Sequence, residues 1–258
     1  MAVVISTHAP HFFCKPFVYY PIEKCASTWI TGICLTLTRS TDGEMITGGY
    51  NIYEDQSRIF YEKSFGVPKT NLPTAQTLHY YYSKLFLKNA FQFTFVRHPL
   101  DRFISSWIHG SISPEIGNFT NRFNSTMSTD EMILFFNKFV NSFVSGENGS
   151  LSASPHFGKY LSCLPKNIED LDFIGKIENF NNDMEYVINI IWESDKEMSS
   201  KFVSHILSAA DENVRNTENL HNTKRFRRDI PFEEFYSIES KKIISNYYKE
   251  ELELFGYE

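Results

Sequence analysis

The stretch Phe17–Thr31, FVYYPIEKCASTWIT, constrains this chain more than any other. Phe17–Tyr20 is a short apolar and aromatic run ending at a proline, which predicts a buried strand. A polar turn follows. Ile30, Ile33, Cys34 and Leu37 then recur at helical spacing, which predicts a helix opening near Ser27. A strand–turn–helix leaves backbone N–H groups without intrahelical partners at the helix start, where the helix dipole also favours an anion. Lys24 adds a positive charge and Ser27 and Thr28 add hydroxyl donors, so the stretch reads as a cradle for a phosphate or sulfate. It is not a Walker A loop, because G-x-x-x-x-G-K-[ST] is absent and no glycine precedes Gly32. An ordinary strand-to-helix turn with a Ser/Thr cap has the same local pattern, and a second stretch decides between the two.

That second stretch is Phe91–Val96, which alternates early and ends apolar as a central strand does. It runs directly into Arg97-His-Pro-Leu-Asp-Arg-Phe-Ile-Ser-Ser-Trp107. Pro99 disfavours helix at His98 and suits a helix start at Pro99 or just after it. Ile104, Trp107 and Ile108 supply that helix's apolar face. Leu171–Ile174 predicts a third short strand, followed by a helix from about Asn182 with Met184, Val187, Ile188 and Ile191 inward. Ser128–Glu131 is a capping box. The helix behind it carries the stripe Met132, Phe135, Phe136, Phe139, Val140 and Phe143. Shorter helices are expected at His79–Asn89 and Lys201–Ala210, and a single closing helix at Ser237–Leu254. Residues 1–16 read as an unpatterned lead-in, and 39–77 and 110–127 as loops.

Strands alternating with helices predict an α/β fold with a central parallel sheet flanked by helices. No repeat and no linker divides the chain, so residues 1–258 read as one domain. In such sheets ligands sit beyond the carboxyl ends of the strands. Lys24, Ser27 and Thr28 follow one strand, and Arg97 and Ser105 follow another. Two anion sites on one edge suit a ligand with phosphates at both ends.

Composition narrows the class. A hydrophobic content of 42% with 24 phenylalanines supports a sizeable packed core. The net charge of −6 argues against general nucleic-acid binding. There is no apolar run long enough for a membrane span and no signal-peptide pattern, so a cytoplasmic protein is expected. Cys14, Cys25, Cys34 and Cys163 form no C-x-x-C pair or zinc spacing, which suits reduced thiols. With no secretion signal, the sequons at Asn118, Asn124 and Asn148 read as chance occurrences. No metal-binding motif such as H-E-x-x-H is present, and no metal is expected.

Phe-Thr-Phe-Val-Arg97-His-Pro-Leu-Asp-Arg102-Phe-Ile-Ser105 resembles the 3′-phosphate-binding motif of sulfotransferases that use 3′-phosphoadenosine 5′-phosphosulfate (PAPS), and of the carbohydrate-type branch in particular. The resemblance implies that Arg97 and Ser105 hold the 3′-phosphate. Lys24, Ala26, Ser27 and Thr28 match the family's 5′-phosphosulfate loop, with Glu23 where a proline is usual. Cys25 and Trp29 belong to the same cofactor-binding stretch, and Trp29 or Tyr19 would lie against the adenine. Asp172-Phe-Ile-Gly-Lys-Ile-Glu178-Asn179, Ser154-Pro-His156-Phe and the C-terminal Tyr248–Tyr257 resemble further family segments, although the glutamine usual after the histidine segment is missing. The resemblance implies a fold related to P-loop nucleotide kinases. It also implies transfer of a sulfonate from PAPS to a hydroxyl or amine of a carbohydrate or small-metabolite acceptor.

In such a transfer positioning and charge stabilisation dominate. Lys24 would meet charge developing on the leaving phosphate. His79, lying where carbohydrate sulfotransferases carry a catalytic His or Glu, is the expected general base, with His156 and His221 as alternatives. His98 is expected to be structural. Lys224–Arg228, the densest basic run, is either a solvated loop or a loop closing on an anion. Two other classes compete. A nucleotide kinase would share the sheet but lacks its glycine-rich loop here, and an inactive PAPS-binding homologue draws support from Glu23 and the missing glutamine.

Overall fold

The computed structural model describes residues 15, 17–27, 29–30, 33–34, 37, 90–111, 127–144, 156–165, 167–204, 206 and 230–257, and the backbone alone at 4–6 and 112. The chain separates into two compact units. One comprises Met1–Val96 with Leu161–Ser208, the other Arg97–Tyr160 with Ala209–Glu258.

The first unit is built on a sheet of order β1-β2-β3-β4, with β1 at Val4–Ser6, β2 at Phe17–Tyr20, β3 at Phe91–Val96 and β4 at Phe173–Lys176. β2, β3 and β4 are parallel, with Phe17 opposite Phe91 and Phe93 opposite Phe173. β1 runs antiparallel to β2. The parallel core matches the expectation, whereas the antiparallel edge strand replaces the unpatterned lead-in. Three residues are too few to display a period of two, so main-chain pairing reveals what side-chain pattern cannot.

β3 is buried along its whole length, as a central strand must be. Its two polar residues are satisfied by β2: Tyr20 Oη donates to Gln92 Oε1 (2.7 Å) and Thr94 Oγ1 donates to Tyr20 O (2.7 Å). Phe17, Tyr19, Phe91, Phe93 and Phe95 lie in one core, joined there by Met184, Val187, Ile188 and Ile191 of helix Phe180–Ile191. β4 begins two residues later than Leu171, because Ile168–Asp170 is a 3₁₀ turn and Leu171 N–H closes on Ile168 O (3.0 Å). Asp172 then docks the strand. Its N–H donates to Gln92 O and its Oδ2 accepts from Gln92 N–H, each at 2.8 Å. At Gly175 a Cβ would meet Phe95 Cε1 at 2.5 Å, so β4 can lie this close to the aromatic core only with glycine there.

Among the described residues the second unit holds helices: α1 at Pro99–Ile112, α2 at Thr129–Val144, then short helices at Phe232–Phe235, Ile238–Tyr247 and Lys249–Leu254. The capping box forms, with Glu131 N–H on Ser128 Oγ (3.2 Å) and Ser128 N–H on Glu131 Oε2 (2.6 Å). The α2 stripe packs as its spacing predicts. Phe103 is the hub of this core, with Phe143 and Phe157 ring centroids at 5.2 and 5.3 Å. The expected single closing helix is interrupted at Tyr248, whose buried ring donates its hydroxyl to Phe157 O (2.6 Å). The chain ends in a left-handed Gly256 (φ 62°), with Gly256 N–H on Glu253 O and Tyr257 N–H on Leu252 O, the Schellman closure.

Candidate active site

In the first unit the site grows from the end of β2. Thr94 takes the Tyr20 carbonyl, so the strand's last residue is held before the chain turns. The turn then closes with Cys25 N–H on Ile22 O (3.1 Å). Lys24 (φ 66°) and Ala26 (φ 52°) are left-handed, the only such non-glycine residues among those described. L-residues there cost about 1–2 kcal/mol each, and strain of this kind collects where a ligand is gripped. Left-handed residues are a feature of turns that bind anions through backbone N–H groups. Helical backbone follows from Ser27, with Ile30 N–H on Ala26 O (3.0 Å), so the helix dipole points at the same turn.

Ser27 and Cys25 are buried, and Cys25 forms no disulfide. Trp29 is half-buried with its ring 4.5 Å from that of Phe180. Tyr19 is core, stacked on Phe93 at 5.2 Å with no exposed surface, and is therefore no adenine platform. Burial pulls the Lys24 ammonium down to about 8, and the Glu23 carboxylate opposes that fall. Glu23 therefore helps to keep Lys24 charged near neutrality. Thr28 lies outside the described residues.

In the second unit Arg97 is the first residue after β3, and Ser105 lies two turns into α1. His98 Nδ1 accepts from Leu100 N–H (3.2 Å) and the ring meets Tyr257 edge-on at 5.1 Å, a helix-capping task. Leu100, Phe103, Ile104, Trp107 and Ile108 are buried. Asp101, Ser105 and His109, spaced by four, form the half-buried stripe that leaves Ser105 accessible. The Arg97 carbonyl accepts from Tyr160 Oη (2.6 Å), and its guanidinium lies 4.8 Å over the Phe232 ring. Arg102 is wholly buried. It donates to Gly158 O (2.8 Å) and lies 4.5 Å over the Tyr160 ring, so its role is structural. His156 is half-buried, its carbonyl held by Ser106 Oγ (2.6 Å) and its ring 5.4 Å from that of His109. His79, His221 and Lys224–Arg228 lie outside the described residues.

Lys24, Cys25, Ala26, Ser27 and Trp29 thus share one loop and helix start, and Arg97 and Ser105 share the start of α1. Sequence reasoning missed Tyr160 and Phe232. Nothing local marks them, since Tyr160 is 63 positions from Arg97. Among the described residues no group of three or more His, Cys, Asp or Glu could hold a metal ion, and no helix is long and apolar enough to cross a membrane.

The chain belongs to the sulfotransferase family, whose model matches residues 13–258. No curated protein and no solved structure matches it. Membership makes the chain a transferase and supports sulfonate transfer as its general activity. The mixed helix and strand architecture, with three parallel strands and flanking helices, fits the family.

Proposed function

We propose that this protein transfers a sulfonate from PAPS to a hydroxyl or amine of a carbohydrate or small-metabolite acceptor. The observation that carries the reading is the glycine-free turn after β2, left-handed at Lys24 and Ala26 and charged by a half-buried lysine. A tetrahedral anion is the group that a charged turn at a helix start suits. In this reading the Ala26 backbone N–H, the hydroxyls of Ser27 and Thr28 and the Lys24 ammonium hold the 5′-phosphosulfate, while the Cys25 N–H, bonded to Ile22 O, holds the turn in shape. Lys24 also stabilises the charge that grows on the phosphate as its bond to sulfur breaks. Arg97 and Ser105 hold the 3′-phosphate, Trp29 borders the adenine, and His79 takes the acceptor's proton. One catalytic domain spanning the chain, a cytoplasmic setting and a reaction without metal belong to the same reading.

The test is a thermal melt with the product nucleotide, 3′-phosphoadenosine 5′-phosphate. At a hundred times Kd the ligand adds about 2.7 kcal/mol, a rise of roughly 5–10 °C for a chain of this size. ATP with Mg²⁺ should have little effect. A shift with ATP and none with the bisphosphate would sink the reading. Mass detection of an added sulfonate across sugars, lipids and small phenols then identifies the acceptor.

A further inference from the structure

Arg97 stands where the chain leaves β3 for α1, and the first carbonyl bonded by an α1 amide is that of His98, to Arg102 N–H (2.9 Å). The Arg97 carbonyl is instead bonded by Tyr160 Oη at 2.6 Å. Tyr160 is itself immobilised. Its side chain has no exposed surface, its N–H donates to Glu251 Oε1 (3.2 Å), and its ring lies among Tyr248, Phe255 and the Arg102 guanidinium. At the other end of the residue, the half-buried Phe232 ring lies under the Arg97 guanidinium. Backbone and side chain of one arginine are thus oriented from two separate elements, and a planar fork gains specificity only when its plane is held.

We propose that Tyr160 and Phe232 are positioning residues that fix the Arg97 guanidinium for recognition of a phosphate monoester, and so set the discrimination between nucleotides with and without a 3′-phosphate. This rests on the assignment of Arg97 given above. Pre-orienting the fork spares the ordering of a long side chain on binding. The benefit falls only on ligands that reach the fork, and a 5′-phosphate nucleotide lacking the 3′ group gains nothing from it.

The experiment is calorimetric titration of 3′-phosphoadenosine 5′-phosphate and adenosine 5′-phosphate into the full chain as wild type, Tyr160→Phe and Phe232→Leu. Tyr160→Phe removes one hydrogen bond and keeps the ring beneath Arg102; Phe232→Leu removes the π face and keeps apolar bulk. Each should lower the affinity ratio between the two nucleotides about threefold to tenfold, while adenosine 5′-phosphate binds as before. Equal weakening of both nucleotides, or an unchanged ratio in folded variants, overturns the proposal. If Tyr160→Phe does not fold, Phe232→Leu alone decides. A wild type that does not prefer the 3′-phosphorylated nucleotide removes the assignment of Arg97, and the proposal with it.

Discussion

Lys24→Met should make a more stable and less active protein. Burial lowers the Lys24 pKa from its ordinary 10.5 to about 8. At about 1.36 kcal/mol per pKa unit this is worth at most about 3 kcal/mol against the charged folded state. The side chain is half-buried rather than sealed, and solvent screening reduces the figure to about 1–2 kcal/mol. Methionine keeps the apolar stem, has no β-branch, and meets the left-handed backbone at φ 66° as lysine does, so backbone strain cancels in the comparison. At pH 7 the variant should therefore melt about 3–6 °C above wild type.

The sign with pH follows from the lowered value. Between pH 8 and 10.5 the unfolded chain holds a proton at Lys24 that the folded chain has released, so wild-type stability rises with pH across that window. The gap should be full at neutrality, narrower at pH 9.5 and closed above 10.5. Thermal melts of the unliganded proteins at pH 7 and 9.5 measure this, and sulfonate-transfer assays at pH 7 should show turnover reduced at least tenfold. Equal melting temperatures at pH 7, or a gap indifferent to pH, would refute the reasoning and make Lys24 an ordinary solvated lysine.

Arg97→Ala should weaken nucleotides bearing a 3′-phosphate by about 1.5–3 kcal/mol, roughly tenfold to 150-fold, and leave 5′-only nucleotides nearly untouched, as titration of both would show. Gly175→Ala should destabilise the first unit by about 1–3 kcal/mol, because its Cβ would strike Phe95, which has no exposed surface. A lowered denaturation midpoint checks it, and an unchanged midpoint would mean that β4 can shift. His79→Ala should cost about a hundredfold to ten-thousandfold in turnover with product-nucleotide binding retained, and should remove the acidic limb of the pH–rate profile. Retention of that limb would transfer the base to another group, with His156 the next to test.

The elements legible from sequence are those whose signals act within a turn or two. The capping box at Ser128–Glu131 and the α2 stripe form as written, because both depend on contacts three or four residues apart. β2 and β3 were legible because both are short, wholly buried runs rich in aromatic residues. The places of Lys24 and Ser27 just beyond β2, and of Arg97 and Ser105 beyond β3, follow from the same strand signals. Other features depend on distant partners. β1 exists through its pairing with β2, β4 starts where Asp172 meets Gln92, and the closing helix breaks where Tyr248 reaches Phe157.

Local rules also send non-glycine residues away from left-handed backbone, so nothing in Lys24 or Ala26 announced their conformations. The lowered pKa of Lys24 comes from burial, and the bracing of Arg97 comes from Tyr160 and Phe232. Solvent exclusion and long-range hydrogen bonds depend on which remote segments arrive at a point, and only the tertiary structure decides that.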